Sequence, residues 1–279
     1  DLDPRGVVVV GDKLVITDWR SYEVRVYRRH NGTLLSSSDK LESGPWGVCR
    51  VSDREFCVVM GDAGIAIMAV KISGQISRVK TFRLRPTFDY CTGVALWNNT
   101  IVVSGVKDNT IYWCVVSSQD GRPEELHKVC GGDFSSLTVK HDMLYVSCCA
   151  DSPDDRGVYG LNLLSPRQPP YTYKPEGLTS GITVDDVGHL FVCYGSSSIH
   201  HLTATCQLVA IYEDDVPRDH LAIFWDSGVL YLTSYRSHVI TMYKTTQQGK
   251  LPVLFLLHRH QQHIYYNFII KTNILKYLK

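Results

Sequence analysis

Apolar residues in this chain of 279 residues gather in short runs that recur six times along its length. Gly6-Val7-Val8, Gly47-Val48-Cys49, Gly93-Val94-Ala95, Ser136-Leu137-Thr138, Gly181-Ile182-Thr183 and His220-Leu221-Ala222 set the register, at spacings of 41, 46, 43, 45 and 39 residues. Each is followed by a turn rich in Asp, Asn, His or Gly, and each turn by a second apolar run, as in Leu14-Val15-Ile16-Thr17 and Ile101-Val102-Val103-Ser104. Several short strands per unit, at a period of about 43 residues, are the signature of a β-propeller.

The first repeat displays the unit most clearly. Val7–Val10 reads as the innermost strand, Leu14–Thr17 as the second and Glu23–Arg28 as the third. His30-Asn31-Gly32 supplies a hairpin turn, because Asn-Gly accepts positive φ readily, and Thr33–Ser36 forms a polar outer edge. The inner strands are near-continuous apolar runs, as required when both faces are covered by neighbouring blades. The pattern therefore predicts an all-β chain, a six-bladed β-propeller of four-stranded antiparallel blades of the NHL/TolB-like kind. The blades are placed at about 4–37, 44–82, 88–130, 134–174, 177–212 and 218–256 within a single domain, 1–256. Each repeat owns all its strands, so ring closure is expected to rest on face-to-face packing alone; the alternative is that Asp1–Arg5 continues upstream into a further strand.

Residues 257–279 contain no Asp, Glu, Gly or Pro, and Ile264–Lys279 is almost entirely Ile, Tyr, Asn, Phe, Lys and Leu. Such residues have AT-rich codons, so this stretch is expected to be an irregular tail arising from read-through or an unspliced intron. It is too interrupted by polar residues to span a membrane. At the other end, Asp1 reads as a cut end of a longer protein.

Net charge is +1, so no global field draws the protein to nucleic acid or membrane, and any basic patch must be local. Cys49, Cys57, Cys114, Cys148 and Cys193 fall within expected strands, where a thiol packs as a small hydrophobe. The total of nine cysteines is odd and lacks zinc-type spacing, which favours a reducing, cytoplasmic compartment. Two sequons, Asn31-Gly32-Thr33 and Asn98-Asn99-Thr100, weigh lightly against it. No cofactor or metal is expected. The histidines do not occupy equivalent positions across the repeats, and no Ser-His-Asp or paired-carboxylate arrangement recurs.

The run Pro4-Arg5-Gly6-Val7-Val8-Val9 … Leu14-Val15-Ile16-Thr17-Asp18 … Val24-Arg25-Val26-Tyr27 … Asn31-Gly32-Thr33 resembles the NHL-repeat unit of the six-bladed propellers at the C-terminus of tripartite-motif proteins. The resemblance covers about residues 4–256 and is best in the first repeat. Pro45-Trp46-Gly47-Val48 keeps the opening, but the Asp of the second strand is replaced by Met60, Gly105, Cys148, Tyr194 and Ser234. It implies a full-length protein with a RING finger, B-boxes and a coiled coil upstream, the last a route to self-association. In that family the propeller recruits the protein to be ubiquitinated or, in some members, RNA. Lacking zinc-binding modules, this chain alone is not expected to be an enzyme.

In a four-stranded meander the second-to-third loops and the blade-to-blade loops emerge on one face, and here they are the longer and more varied ones. They carry Trp19, Arg20, Tyr22, Trp46, Arg83, Arg85, Phe88, Tyr90, Lys107, Tyr235 and Arg236. Trp, Tyr and Arg dominate interface energies because they combine large area with forked donors. Arg83, Arg85, Phe88 and Tyr90 are the first choice of anchor patch, against the alternative that the aromatics merely plug grooves between blades. Asp89, Asp108, Asp151, Asp154, Asp155, Glu213, Asp214 and Asp215 share the face and weaken phosphate attraction. A protein partner is therefore expected ahead of RNA, and a metal-dependent propeller enzyme last.

Overall fold

The computed structural model describes the chain apart from residues 1, 62–63, 85–86, 118, 166–169, 196, 214–219, 235–238, 245–252, 261–262 and 268–279. The first blade comprises β1 (Pro4–Val10), β2 (Lys13–Asp18), β3 (Glu23–Arg28) and β4 (Leu34–Ser37). The second comprises β5 (Pro45–Arg50), β6 (Glu55–Met60), β7 (Gly64–Val70) and β8 (Ile76–Arg83). The third follows as β9 (Tyr90–Trp97), β10 (Thr100–Lys107), β11 (Thr110–Val116) and β12 (His127–Gly131). The fourth is β13 (Phe134–Lys140), β14 (Met143–Cys149), β15 (Gly157–Asn162) and β16 (Tyr171–Tyr173), and the fifth β17 (Thr179–Val184), β18 (Leu190–Tyr194), β19 (Ser198–Leu202) and β20 (Leu208–Tyr212). The sixth holds β21 (His220–Asp226), β22 (Val229–Ser234), β23 (Val239–Lys244), β24 (Val253–His260) and β25 (His263–Asn267). Strands within each blade pair antiparallel in sequence order, which makes the fold a six-bladed β-propeller. Among the described residues no helix is long and apolar enough to cross a membrane.

One expectation is corrected at the C-terminus. The stretch from residue 257 is not irregular at its start: β24 runs on to His260, and His263–Asn267 pairs with it as a fifth strand. Ile264, Tyr265 and Tyr266 are strong strand formers, and the open edge of β24 offers them a ladder.

The core lies between blades. Val8, Val15, Val24 and Val26 of the first blade pack on Phe56, Val58, Ala66 and Met68 of the second, and comparable buried clusters fill the other seams. The glycine that opens several repeats follows from crowding at the axis. A Cβ on Gly6 would stand 2.6 Å from the Trp46 carbonyl oxygen, and one on Gly47 would stand 2.7 Å from that of Thr92.

Hydroxyls in the later half of the second strands stitch blades together. Thr17 Oγ1 donates to the Trp46 carbonyl (2.6 Å), Ser135 Oγ to Ser104 Oγ (2.8 Å), and Ser147 Oγ to the Ser180 carbonyl. Among the described residues no sheet contains strands of both the first and sixth blades. Packing across that seam, through Val7, Val9, Leu14 and Ile16 against Tyr231, Ile240 and Met242, is joined by an ionic clamp that the sequence did not predict. Arg29 Nη1 lies 2.8 Å from Asp226 Oδ2, and Arg29 Nε donates to the Tyr231 hydroxyl at 2.6 Å.

The cysteine reading also changes. Cys148 is not a packing thiol: it forms a disulfide with Cys130, tying the outer strand of the third blade to the second strand of the fourth. Cys49, Cys57, Cys114 and Cys193 are free thiols within strands.

Candidate binding face and axial channel

The six innermost strands surround an axial cavity of about 260 Å³. Among its described lining residues the charged side chains are Arg5, at the end where the inter-blade loops enter, and Arg50, at the end of the tight turns.

Around Arg5 the chain gathers aromatic rings from four blades. Its guanidinium sits 4.7 Å from the Trp46 ring centroid and 5.3 Å from that of Trp19. Trp46 meets Tyr90 edge-on at 5.4 Å and Phe134 at a 44° tilt, also at 5.4 Å. The positions follow from topology. Trp46, Tyr90 and Phe134 stand at or next to the first residues of β5, β9 and β13, and Trp19 directly follows β2. Trp19 and Tyr90 lean on residues without a Cβ: a Cβ on Gly44 would fall 2.5 Å from the Trp19 indole, and one on Gly61 2.6 Å from the Tyr90 ring.

The charge of Arg5 is held in a balanced network. Arg5 Nε lies 3.0 Å from Asp3 Oδ1, and its Nη2 donates to Asp3 Oδ2 at 3.3 Å. The Asp3 backbone N–H donates to Asp18 Oδ1 at 3.0 Å, while Arg25 Nη2 stands 2.7 Å from Asp18 Oδ2. Asp18 is completely buried, so the Arg25 guanidinium is what makes its charge tolerable there. The Asp of the first repeat thus anchors the arginine that holds the rings.

The expected site residues divide into three groups. Trp19, Trp46 and Tyr90 converge on the basin and are half-buried. Arg20 and Tyr22 lie on the exposed turn beside Trp19; Tyr22 is 43% exposed with φ of 61°, a conformation that a bulky side chain rarely adopts. Arg83 is exposed at the end of β8, and Lys107 is half-buried at the end of β10. Arg85, Tyr235 and Arg236 lie outside the described residues. Phe88 is corrected: at 2% exposure it belongs to the apolar seam between the second and third blades, its ring against Gly105. The anchor patch drawn from residues 83–90 therefore does not hold together, since Phe88 is internal and Tyr90 packs edge-on against Trp46.

Arg5 and Phe134 complete the basin but were not among the expected site residues. Arg5 falls within the repeat's opening motif, and Phe134 precedes the Ser136 register mark by two positions, so neither stands out as a loop residue in the sequence.

On this face Asp89 accepts from the Asp108 backbone N–H (3.0 Å), and Arg156 is occupied by the carbonyls of Ala150 (2.6 Å) and Asp151 (2.7 Å). Histidines cluster elsewhere. In the fifth blade His200 stacks on Tyr194 at 4.0 Å and shares a 2.6 Å hydrogen bond with the Tyr173 hydroxyl; burial pulls its pKa down to about 4. Among the described residues no group of three or more His, Cys, Asp or Glu is placed to hold a metal ion.

No known protein family and no curated protein matches this chain in sequence. Its fold does match solved structures. Virginiamycin B lyase from Staphylococcus aureus aligns with a TM-score of 0.62 at 15% identity, over 90% of this chain and 84% of that one. A streptogramin B lyase aligns with a TM-score of 0.62 at 13% identity, over 94% and 85%. The β-propeller domain of Cps50 (Swd1) from Myceliophteria thermophila aligns with a TM-score of 0.63 at 10% identity, over 87% and 84%. At such identities the likeness establishes the propeller and carries no activity across.

Proposed function

We propose that this propeller is a non-catalytic binding platform whose partner is a protein segment seated on the inter-blade-loop face. The observation that carries this reading is the basin of Trp19, Trp46, Tyr90 and Phe134 around Arg5 at the channel mouth. Rigid aromatic groups beside an exposed loop provide large contact area at small entropic cost, the composition found at interface hot spots. Charge neutrality within the Arg5–Asp3 and Arg25–Asp18 network favours a protein over a polyanion, which would need uncompensated cations. The resemblance of the first repeat to NHL propellers extends the proposal to its finer form: the substrate-recruiting end of a cytoplasmic tripartite-motif ubiquitin ligase. A metal-dependent enzyme would need acids or histidines converging on the axis, whereas the described wall there is mainly Val, Ile, Leu, Gly and Thr.

The test is affinity capture on the immobilised chain, with and without RNase, beside Trp46→Ala and Arg83→Ala variants. Proteins that survive RNase and are lost from Trp46→Ala support the reading. Partners that vanish with RNase replace it with RNA recognition, and capture indifferent to both substitutions removes the face from consideration.

A further inference from the structure

The second blade holds a pair of thiols beside the axial channel, one of them on its wall, that the binding reading does not use. Cys49 on β5 and Cys57 on β6 are directly opposite each other in the antiparallel register, so their side chains leave the same face of the sheet. Opposed residues of this kind have Cα atoms about 4.5–5.5 Å apart, inside the span of a disulfide. Both thiols are free.

Their surroundings differ. Cys49 is half-buried and lines the channel, whereas Cys57 is fully enclosed behind it. Cys91 and Cys114 lie in the same apolar cluster, but both are fully buried and neither lines the channel. A solute in the channel therefore meets Cys49 first. The cavity, about 260 Å³ in all, readily holds small solutes such as peroxides, whereas a bulky disulfide oxidant must bring its S–S bond up to a half-buried thiol.

We propose that Cys49 and Cys57 form an oxidisable dithiol, closed into a cross-strand disulfide by small peroxides that enter through the axial channel. The thiolate of Cys49 attacks one peroxide oxygen; the O–O bond breaks, leaving a sulfenic acid on Cys49 and releasing water once the departing oxygen is protonated. The sulfur of Cys57 then displaces the sulfenic hydroxyl, so an S–S bond forms, the S–O bond breaks and a second water leaves with the Cys57 proton. The sulfurs lose two electrons in total, and one peroxide becomes two waters. The neighbouring Cys49 thiol, together with burial, raises the Cys57 pKa and holds that thiol protonated. This suits it to resolve the sulfenic acid rather than to begin the reaction. The inference stands apart from the partner-binding reading, since it concerns the blade 2 wall and survives if that reading fails.

The test treats the full chain with hydrogen peroxide and maps the cysteines by peptide mass spectrometry, with oxidised glutathione as the bulky comparison. The expected result is loss of two hydrogens in a Cys49–Cys57 crosslinked peptide, about tenfold ahead of any oxidation at Cys91 or Cys114 and absent with oxidised glutathione. Cys57→Ala is expected to leave a sulfenic acid on Cys49 that dimedone traps; Cys49→Ala is expected to abolish both products, with circular dichroism checking the fold of each. Wild-type mapping alone decides the matter if a variant fails to fold. Sulfinic acid on Cys49 without a crosslink, equal oxidation at Cys91, or no oxidation at this pair would each overturn the proposal.

Discussion

The two mouths of the axial channel are built from similar materials to different ends. At the loop-side mouth Arg5 is flanked by two indoles and forked onto Asp3, and Asp18 and Arg25 balance each other behind it. At the turn-side mouth a single carboxylate, Asp226, serves two arginines, Arg29 at 2.8 Å and Arg50 at 3.5 Å. Arg29 belongs to the first blade and Asp226 to the sixth, so this group clamps the ring shut. The side chain of Arg50 remains 45% exposed. A polar network that is closed and balanced holds its aromatic neighbours still; one that is shared and partly solvated fastens two blades without forming a recognition surface.

The largest effect should come from breaking the loop-side network at its root. Asp18→Ala leaves the Arg25 guanidinium, itself mostly buried, without its closest carboxylate, and is expected to cost about 3–5 kcal/mol. Urea denaturation would register this as a fall in midpoint, and the loss should exceed that of any single change at the turn-side mouth.

Acid should act on neither mouth first but on the fifth blade. His200 is neutral in the folded state, its pKa pulled by burial to about 4 from the usual 6.5 of histidine, so the unfolded chain takes up the extra proton. Stability from this group is complete above pH 6.5 and is lost as pH falls toward 4, by at most roughly 3 kcal/mol. Stability measured from pH 7 to pH 4 checks this, and His200→Gln should flatten the curve.

The basin's contribution to binding ranks next. Trp46→Ala removes one ring from contact with Arg5, Tyr90 and Phe134 and should weaken partner capture by about 2 kcal/mol, roughly thirtyfold. Trp46→Phe should restore part of it. At the other mouth Asp226→Asn loosens the seam between first and sixth blades, with an expected loss of about 1–2 kcal/mol in thermal unfolding and unchanged capture. Smallest of all, Arg50→Gln should shift stability by less than about 0.5 kcal/mol, because its ion pair is long and half-exposed.

Much of this architecture was legible from the chain. The six apolar marks fall within β1, β5, β9, β13, β17 and β21, the innermost strands, because a strand enclosed by two blades must be apolar throughout. The face carrying Trp19, Trp46 and Tyr90 followed from strand order. What escaped depends mostly on contacts between segments separated along the chain. Phe88 reads as a loop aromatic, and only its packing against Gly105, on a strand of the same blade that begins at Thr100, reveals it as internal. The Arg29–Asp226 clamp joins residues from opposite ends of the chain, which no local pattern announces. β25 escaped because Gln261-Gln262 is not a hairpin turn signal and the composition around it resembles no repeat.

The most direct test of the loop-side mouth as the recognition surface is to titrate one captured, RNase-resistant partner against Trp46→Ala and Arg50→Ala in parallel by isothermal calorimetry. The account predicts that Trp46→Ala loses at least about tenfold in affinity while Arg50→Ala binds like the parent chain. Loss confined to Arg50→Ala would place recognition at the turn-side mouth and contradict it.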